Sequence, residues 1–129
     1  MCLNNWGGID HKVLEFHEYV NLFSGKSGSG KSTVMDAIQV ILYGSFSPSF
    51  LNKAADDAKN RRSVLSYLRG EQKDGSANRK DCDFCSVIAL EIEDTGTHII
   101  TCIGIAFEVR KSDSEIKKFV YFSHSGKMP

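Results

Sequence analysis

The chain has 129 residues, enough for one domain with a sizeable core. Its 41% hydrophobic and 25% charged residues are ordinary for a soluble globular protein. The formal net charge is zero, so no global field draws the molecule to nucleic acid and any such contact must be local.

No run approaches membrane-spanning length, and MCLNNWGGID lacks the charged and apolar regions of a signal peptide. A cytoplasmic protein with no membrane partner is expected, and Cys2, Cys82, Cys85 and Cys102 are expected to be free thiols. Cys2 and Leu3 read as the stump of a first strand, Gly7-Gly8 as a turn, and Lys12 to Phe16 (KVLEF) as a second strand. This antiparallel pair leads into Tyr19 to Phe23 (YVNLF), a β-prone run predicted to be a buried strand.

Gly25-Lys26-Ser27-Gly28-Ser29-Gly30-Lys31-Ser32 then fits GxxxxGK[ST], the phosphate-binding P-loop. At average residue usage the four fixed positions match by chance in roughly one chain of this length in a few hundred. A loop wrapped around a polyphosphate needs positions without a Cβ, so that several backbone N–H groups point inward together. Gly25, Gly28 and Gly30 supply them, and Ser27, Ser29 and Thr33 complete the candidate nucleotide-binding set. Lys31 is the candidate catalytic residue, a point charge for the β- and γ-phosphates, and the Ser32 hydroxyl is the expected Mg²⁺ ligand. Val34, Ala37, Ile38, Ile41 and Leu42 recur on one helical face, so the loop opens a helix whose dipole faces the same anion.

Gly44 closes that helix, and a second helical stretch is predicted from Asn52 to about Asn60. A third, Arg61 to Leu68, places Val64, Leu65 and Leu68 on one side. Between Lys53 and Lys80, basic residues outnumber acidic ones, the one locally basic segment. Gly70 to Asp81 reads as a mobile loop. Phe84 to Ile92, Thr97 to Val109 and Lys118 to Phe122 read as three consecutive strands with short turns, an antiparallel β-meander. LEIE alternates and suggests a solvated face, whereas FVYF is apolar throughout and suggests cover on both sides. Cys82-Asp83-Phe84-Cys85 has the spacing of half a zinc site without a second half, and ordinary strand cysteines are the reading preferred.

The Asn5-Trp6 pair, the Gly-Ser-Gly-Lys-Ser loop, Asp36-Ala37-Ile38 and Tyr67-Leu68-Arg69-Gly70 together resemble the N-terminal part of the ATPase head of SMC-like proteins. The likeness is to the MukB, MksB and JetC type and to SbcC-like ATPases, and it covers about Asn4 to Gly70. The fold implied is an α/β P-loop NTPase, a partial ABC-type head carrying an antiparallel β-meander, with residues 1–129 forming a single domain. The resemblance further implies ATP and Mg²⁺ as cofactors and a second ATPase head as partner, either in a homodimer or as the C-terminal lobe of the same protein. It implies coupling of hydrolysis to work on DNA. It places an arginine of the basic stretch near nucleotide or DNA, with Arg69 the candidate by motif position and Arg61 and Arg62 behind it. Solvated helix charges are an equal alternative. Asn5 and Trp6 would lie near the adenine, although plain packing suits Trp6 as well.

An ABC-type head also needs a signature motif, a Walker B aspartate followed by a catalytic glutamate, and a switch histidine, and none is recognisable. Val87 to Leu90 before Glu91 comes nearest, but it alternates like a half-exposed meander strand. Neither Gln39 nor Gln72 can be assigned a Q-loop role. The expectation is an N-terminal piece of a longer protein that binds nucleotide weakly and hydrolyses it poorly alone. A small P-loop kinase would use the same loop but usually alternates strands with helices. A non-catalytic nucleotide-holding module is the third reading.

Overall fold

The computed structural model describes residues 1–26, 30–44, 46, 63–72 and 74–127. Cys2–Trp6 (β1) turns back at Gly7-Gly8 into Ile9–Val13 (β2). Helix α1 (Lys31–Tyr43) and the short α2 (Val64–Arg69) follow, and then β3 (Phe84–Glu93), β4 (Ile100–Val109) and β5 (Lys118–Ser125). The five strands make one sheet in the order β2-β1-β3-β4-β5, every neighbouring pair antiparallel. The predicted meander is therefore present. β1 extends it by pairing with β3, setting Leu3 opposite Ile88.

Register decides which side chains share the core. Ile88 faces Ile105, Ser86 faces Phe107 and Phe84 faces Val109, so Leu3, Ile88, Ile105, Phe107 and Val109 line one side of the sheet, all buried. Across this face α1 lays Val34, Ala37, Val40 and Ile41, and α2 lays Val64, Leu65 and Leu68, in one continuous cluster. Both helices end on glycines at positive φ, Gly44 at 62° and Gly70 at 67°, the left-handed closure that favours glycine. On the opposite side of the sheet Gly104 pairs with Phe122, whose ring occupies the space a side chain at 104 would need.

Four expectations are corrected. Tyr19 to Phe23 is not a buried strand: Tyr19, Val20 and Leu22 are 88%, 77% and 88% exposed. The segment is a loop, closed by the Asn21 side chain, which accepts from the His17 N–H at 2.7 Å and donates to its carbonyl at 2.9 Å. A strand needs a neighbour for its backbone groups, and the described residues provide none here. The FVYF run is a strand, as expected, but it is not covered on both sides: Phe119 touches Phe46 and Phe107 and Phe122 lies over Gly104, while Phe119, Val120 and Tyr121 stay 44%, 59% and 46% exposed. Finally, Gly70 to Asp81 is not loose where it is described. Glu71 bridges to Ala77, Gln72 N–H donates to the Ser76 carbonyl at 2.7 Å, and Arg79 buries its side chain between the β1–β2 turn and the end of α2. The second strand is also displaced, covering Ile9–Val13 instead of residues 12–16. The helix predicted over 52–60 lies outside the described residues.

Candidate nucleotide-binding site

Of the eight candidate loop positions, Gly25, Gly30, Lys31, Ser32 and Thr33 are described, and Ser27, Gly28 and Ser29 lie outside the described residues. Gly30 is the N-cap of α1 at φ 96°, and no side chain caps the helix start. The first turn also lacks acidic residues, so its backbone N–H groups and its positive dipole end meet no carboxylate from within the turn. Lys31 reaches back over this opening. Its ammonium donates to the Gly25 carbonyl at 2.6 Å and the Lys26 carbonyl at 3.0 Å, drawing the two ends of the loop together. Ser32 is exposed on the first turn, where its hydroxyl suits a metal ligand. Thr33 points the other way, its methyl 2.7 Å from the position a Cβ on Gly7 would take.

The platform beneath this turn is aromatic. Trp6, at the end of β1, is fully buried, and its indole Nε1 donates to the Thr33 carbonyl at 2.8 Å. Its ring stacks on Tyr67 of α2 with centroids 4.8 Å apart and planes 8° from parallel. The Tyr67 hydroxyl donates to the buried carboxylate of Asp36, one turn along α1. Gly7, at φ 58°, donates its N–H to the Tyr67 carbonyl at 2.7 Å. Arg79 closes the ring, donating to the carbonyls of Leu68 and Gly7 and to Asp10. Burial of the guanidinium, opposed by the Asp10 charge, holds the pKa of Arg79 below its ordinary value.

Trp6 is thus a packing residue of the platform and takes no open position beside a ligand. Asn5 at φ 52° donates its side-chain amide to the Cys85 carbonyl at 2.8 Å.

Residues 1–58 match the family model for the P-loop containing region of AAA domains. Over 72 residues the chain is 33% identical to the SbcC component of the nuclease SbcCD from Staphylococcus haemolyticus (strain JCSC1435), an alignment covering 53% of this chain. The chain resembles the N-terminal ATPase segment of SbcC-like proteins. It spans about 6% of the length of that relative. The fold is a P-loop NTPase-like α/β fragment built on an antiparallel sheet.

Arg69 is engaged away from the loop. Its Nη2 donates to the carbonyl of Asp113 at 2.5 Å and lies 3.3 and 3.4 Å from those of Arg110 and Lys111, while its buried Nε finds no partner among the described residues. Arg61 and Arg62 lie outside the described residues. Gln39 sits within α1 with its side-chain oxygen buried and without a partner among the described residues, and Gln72 belongs to the turn after α2. Cys82 and Cys85 are exposed free thiols, and no cluster of three or more metal-ligating side chains occurs among the described residues. No described helix is long and apolar enough to cross a membrane.

Sequence reasoning missed Tyr67, Asp36 and Arg79 as parts of the platform. Asp36 carried a legible signal: a carboxylate between Thr33, Ala37 and Val40 on the buried arc of an amphipathic helix requires a hydrogen-bonding partner.

Proposed function

We propose that this chain is the ATP-binding N-terminal part of an SMC-like, ABC-type ATPase that works on DNA in the cytoplasm, in chromosome organisation, repair or plasmid defence. The observation that carries nucleotide binding is the uncapped first turn of α1 with the Lys31 ammonium folded across the mouth of its own loop. Phosphate oxygens would take over from the Gly25 and Lys26 carbonyls as acceptors for Lys31, and the loop and first-turn N–H groups would meet the same oxygens. Ser32 would hold Mg²⁺, which when bound neutralises developing charge on the phosphates. Lys31 stabilises that charge by position alone, since phosphoryl transfer depends on placement and electrostatics. The sequence offers no residue as a base for the attacking water, so turnover in this reading belongs to a head completed by its C-terminal lobe and paired with a second head. The likeness to a subunit of the nuclease SbcCD supports the ATPase-segment part of this reading, and DNA as the substrate of the whole machine is part of the proposal.

Binding and turnover of Mg²⁺-ATP by the purified chain, alone and with the remainder of its gene product added as a separate polypeptide, test the proposal. Binding by the chain with turnover only on addition is the expected result. Lys31→Ala should weaken ATP binding about ten- to a hundredfold, the worth of one charge-assisted bond, with the circular dichroism spectrum unchanged. Equal affinity in the variant would remove the P-loop assignment, and turnover by the chain alone would remove the split-head assignment.

A further inference from the structure

We infer that Trp6, Tyr67 and Asp36 are positioning residues that hold the first turns of α1 and couple occupation of the phosphate site to helix α2. The inference rests on the nucleotide-binding reading above and goes beyond it.

The geometry is a double grip. The Trp6 indole holds α1 at the Thr33 carbonyl, directly after Lys31 and Ser32, and the Tyr67 phenol holds the same helix at Asp36, one turn further on. The two gripping rings are themselves stacked face to face, so neither hydrogen bond can shift without moving the other ring. Backbone contacts stiffen the arrangement, because Gly7 N–H binds the Tyr67 carbonyl and Arg79 spans Gly7 and Leu68. Gly7 packs closely on Thr33, whose methyl lies 2.7 Å from where a Cβ at position 7 would stand. At the far end of α2, Arg69 binds carbonyls of the turn between β4 and β5.

Phosphate binding pulls on the N–H groups and the lysine of the first turn of α1. Displacement of that turn is carried by Trp6 and Tyr67 into α2, and through Arg69 into the β4–β5 turn. Conversely, a fixed α2 keeps the first turn in the geometry that accepts the anion, which is the reciprocity that coupling requires. Simple core packing would use the same rings but would not need two polar grips at successive turns of the ligand-binding helix.

Trp6 is the sole tryptophan of the chain, so its emission reports on the grip directly. Emission should change during titration with Mg²⁺-ATP, with the midpoint given by calorimetry on the same protein. The paired substitution Tyr67→Phe with Asp36→Leu keeps the stacked ring and removes the phenol–carboxylate grip from both sides at once. It should lower ATP affinity about fivefold or more and shrink the emission change. Asp36→Asn, which keeps an acceptor for the phenol, should restore both. Calorimetric binding by the wild type with no change in Trp6 emission overturns the inference, whether or not the paired variant folds. So does unaltered affinity in the folded paired variant. Absence of any ATP binding by the wild type is a different outcome: it removes the nucleotide reading and the coupling with it.

Discussion

Arg79, a charged residue outside the apolar cluster, is where the structure predicts a large loss from a single substitution. Its side chain is 7% exposed and donates in three directions from one planar group: Nε to the Leu68 carbonyl at 2.8 Å, Nη2 to the Gly7 carbonyl, and Nη1 to Asp10 at 3.0 Å. Arg79→Met keeps a stem of similar length and removes the fork. The two carbonyl bonds are buried and charge-assisted, a class worth about 1.5–3 kcal/mol each. The Asp10 side chain is 86% exposed, so that pair adds about 0–1 kcal/mol after screening. The guanidinium also lies over the Phe84 ring at 5.6 Å, worth about 0.5–1 kcal/mol. Against these stands the desolvation of the cation, which methionine relieves, and the net expectation is a loss of about 3 kcal/mol. Followed by circular dichroism in urea, with a slope of about 1–1.5 kcal/mol per molar for a chain of this size, the unfolding midpoint should fall by about 2–3 M. Arg79→Lys should lose most of the same amount, because an ammonium cannot serve three acceptors spread around one plane. A loss below about 1 kcal/mol for Met, or a wild-type midpoint for Lys, would refute the fork argument.

Gly104→Ala should destabilise the sheet by about 1–3 kcal/mol in the same assay, because the added methyl would collide with the Phe122 ring and stand 2.7 Å from the Ile88 carbonyl; Phe122 can turn away but the backbone oxygen cannot. A wild-type midpoint there would mean that β3 and β4 separate freely. Thiol labelling should divide the cysteines by burial, with Cys82 and Cys85 reacting first and Cys102 only on unfolding. Burial, with the nearby Glu91 charge, pushes the Cys102 thiol above its ordinary pKa, so the folded state binds the proton more tightly than the unfolded one and stability should decline as pH rises through the unfolded thiol's pKa. Labelling of Cys102 in the native protein as fast as Cys85 would contradict its placement.

The phosphate loop and the meander were legible in the sequence because each rests on local chemistry. Gly30 and Lys31 sit at fixed spacing, and the turns at Asp94 and at Lys111 to Glu115 separate runs that pair with their sequence neighbours. The platform was not legible, since its contacts join residues far apart in the chain: Trp6 to Thr33, Asp36 to Tyr67, and Gly7 to Arg79. Arg79 was hidden for a further reason. It sits in GEQKDGSANRKD, whose polar, glycine-containing composition describes a solvated loop, and nothing in composition marks the one residue whose side chain turns inward.

The two apolar runs, one of which forms the expected strand and one of which does not, isolate what composition leaves open. YVNLF and FVYF have the same β-prone character, yet only FVYF forms a strand. The difference lies in the edge on offer. The connection over residues 110–117 returns FVYF to β4, where Phe119 meets Phe107 and Phe46 on the core side and Phe122 covers Gly104 on the other. The edge nearest YVNLF in sequence is β2, reading IDHKV, with Asp10, His11, Lys12 and Val13 exposed. An edge of that kind gives hydrogen bonds but no apolar face, and polar, charged edges resist further pairing. Without side-chain burial to offset the ordering of the backbone, the loop closed by Asn21 on His17 is the favoured state, and Phe16 and Phe23 meet only each other's ring edges, 6.1 Å apart. A β-prone run therefore becomes a strand where a neighbouring strand brings apolar partners with it, and the exposed Tyr19, Val20 and Leu22 mark a place where the described residues bring none.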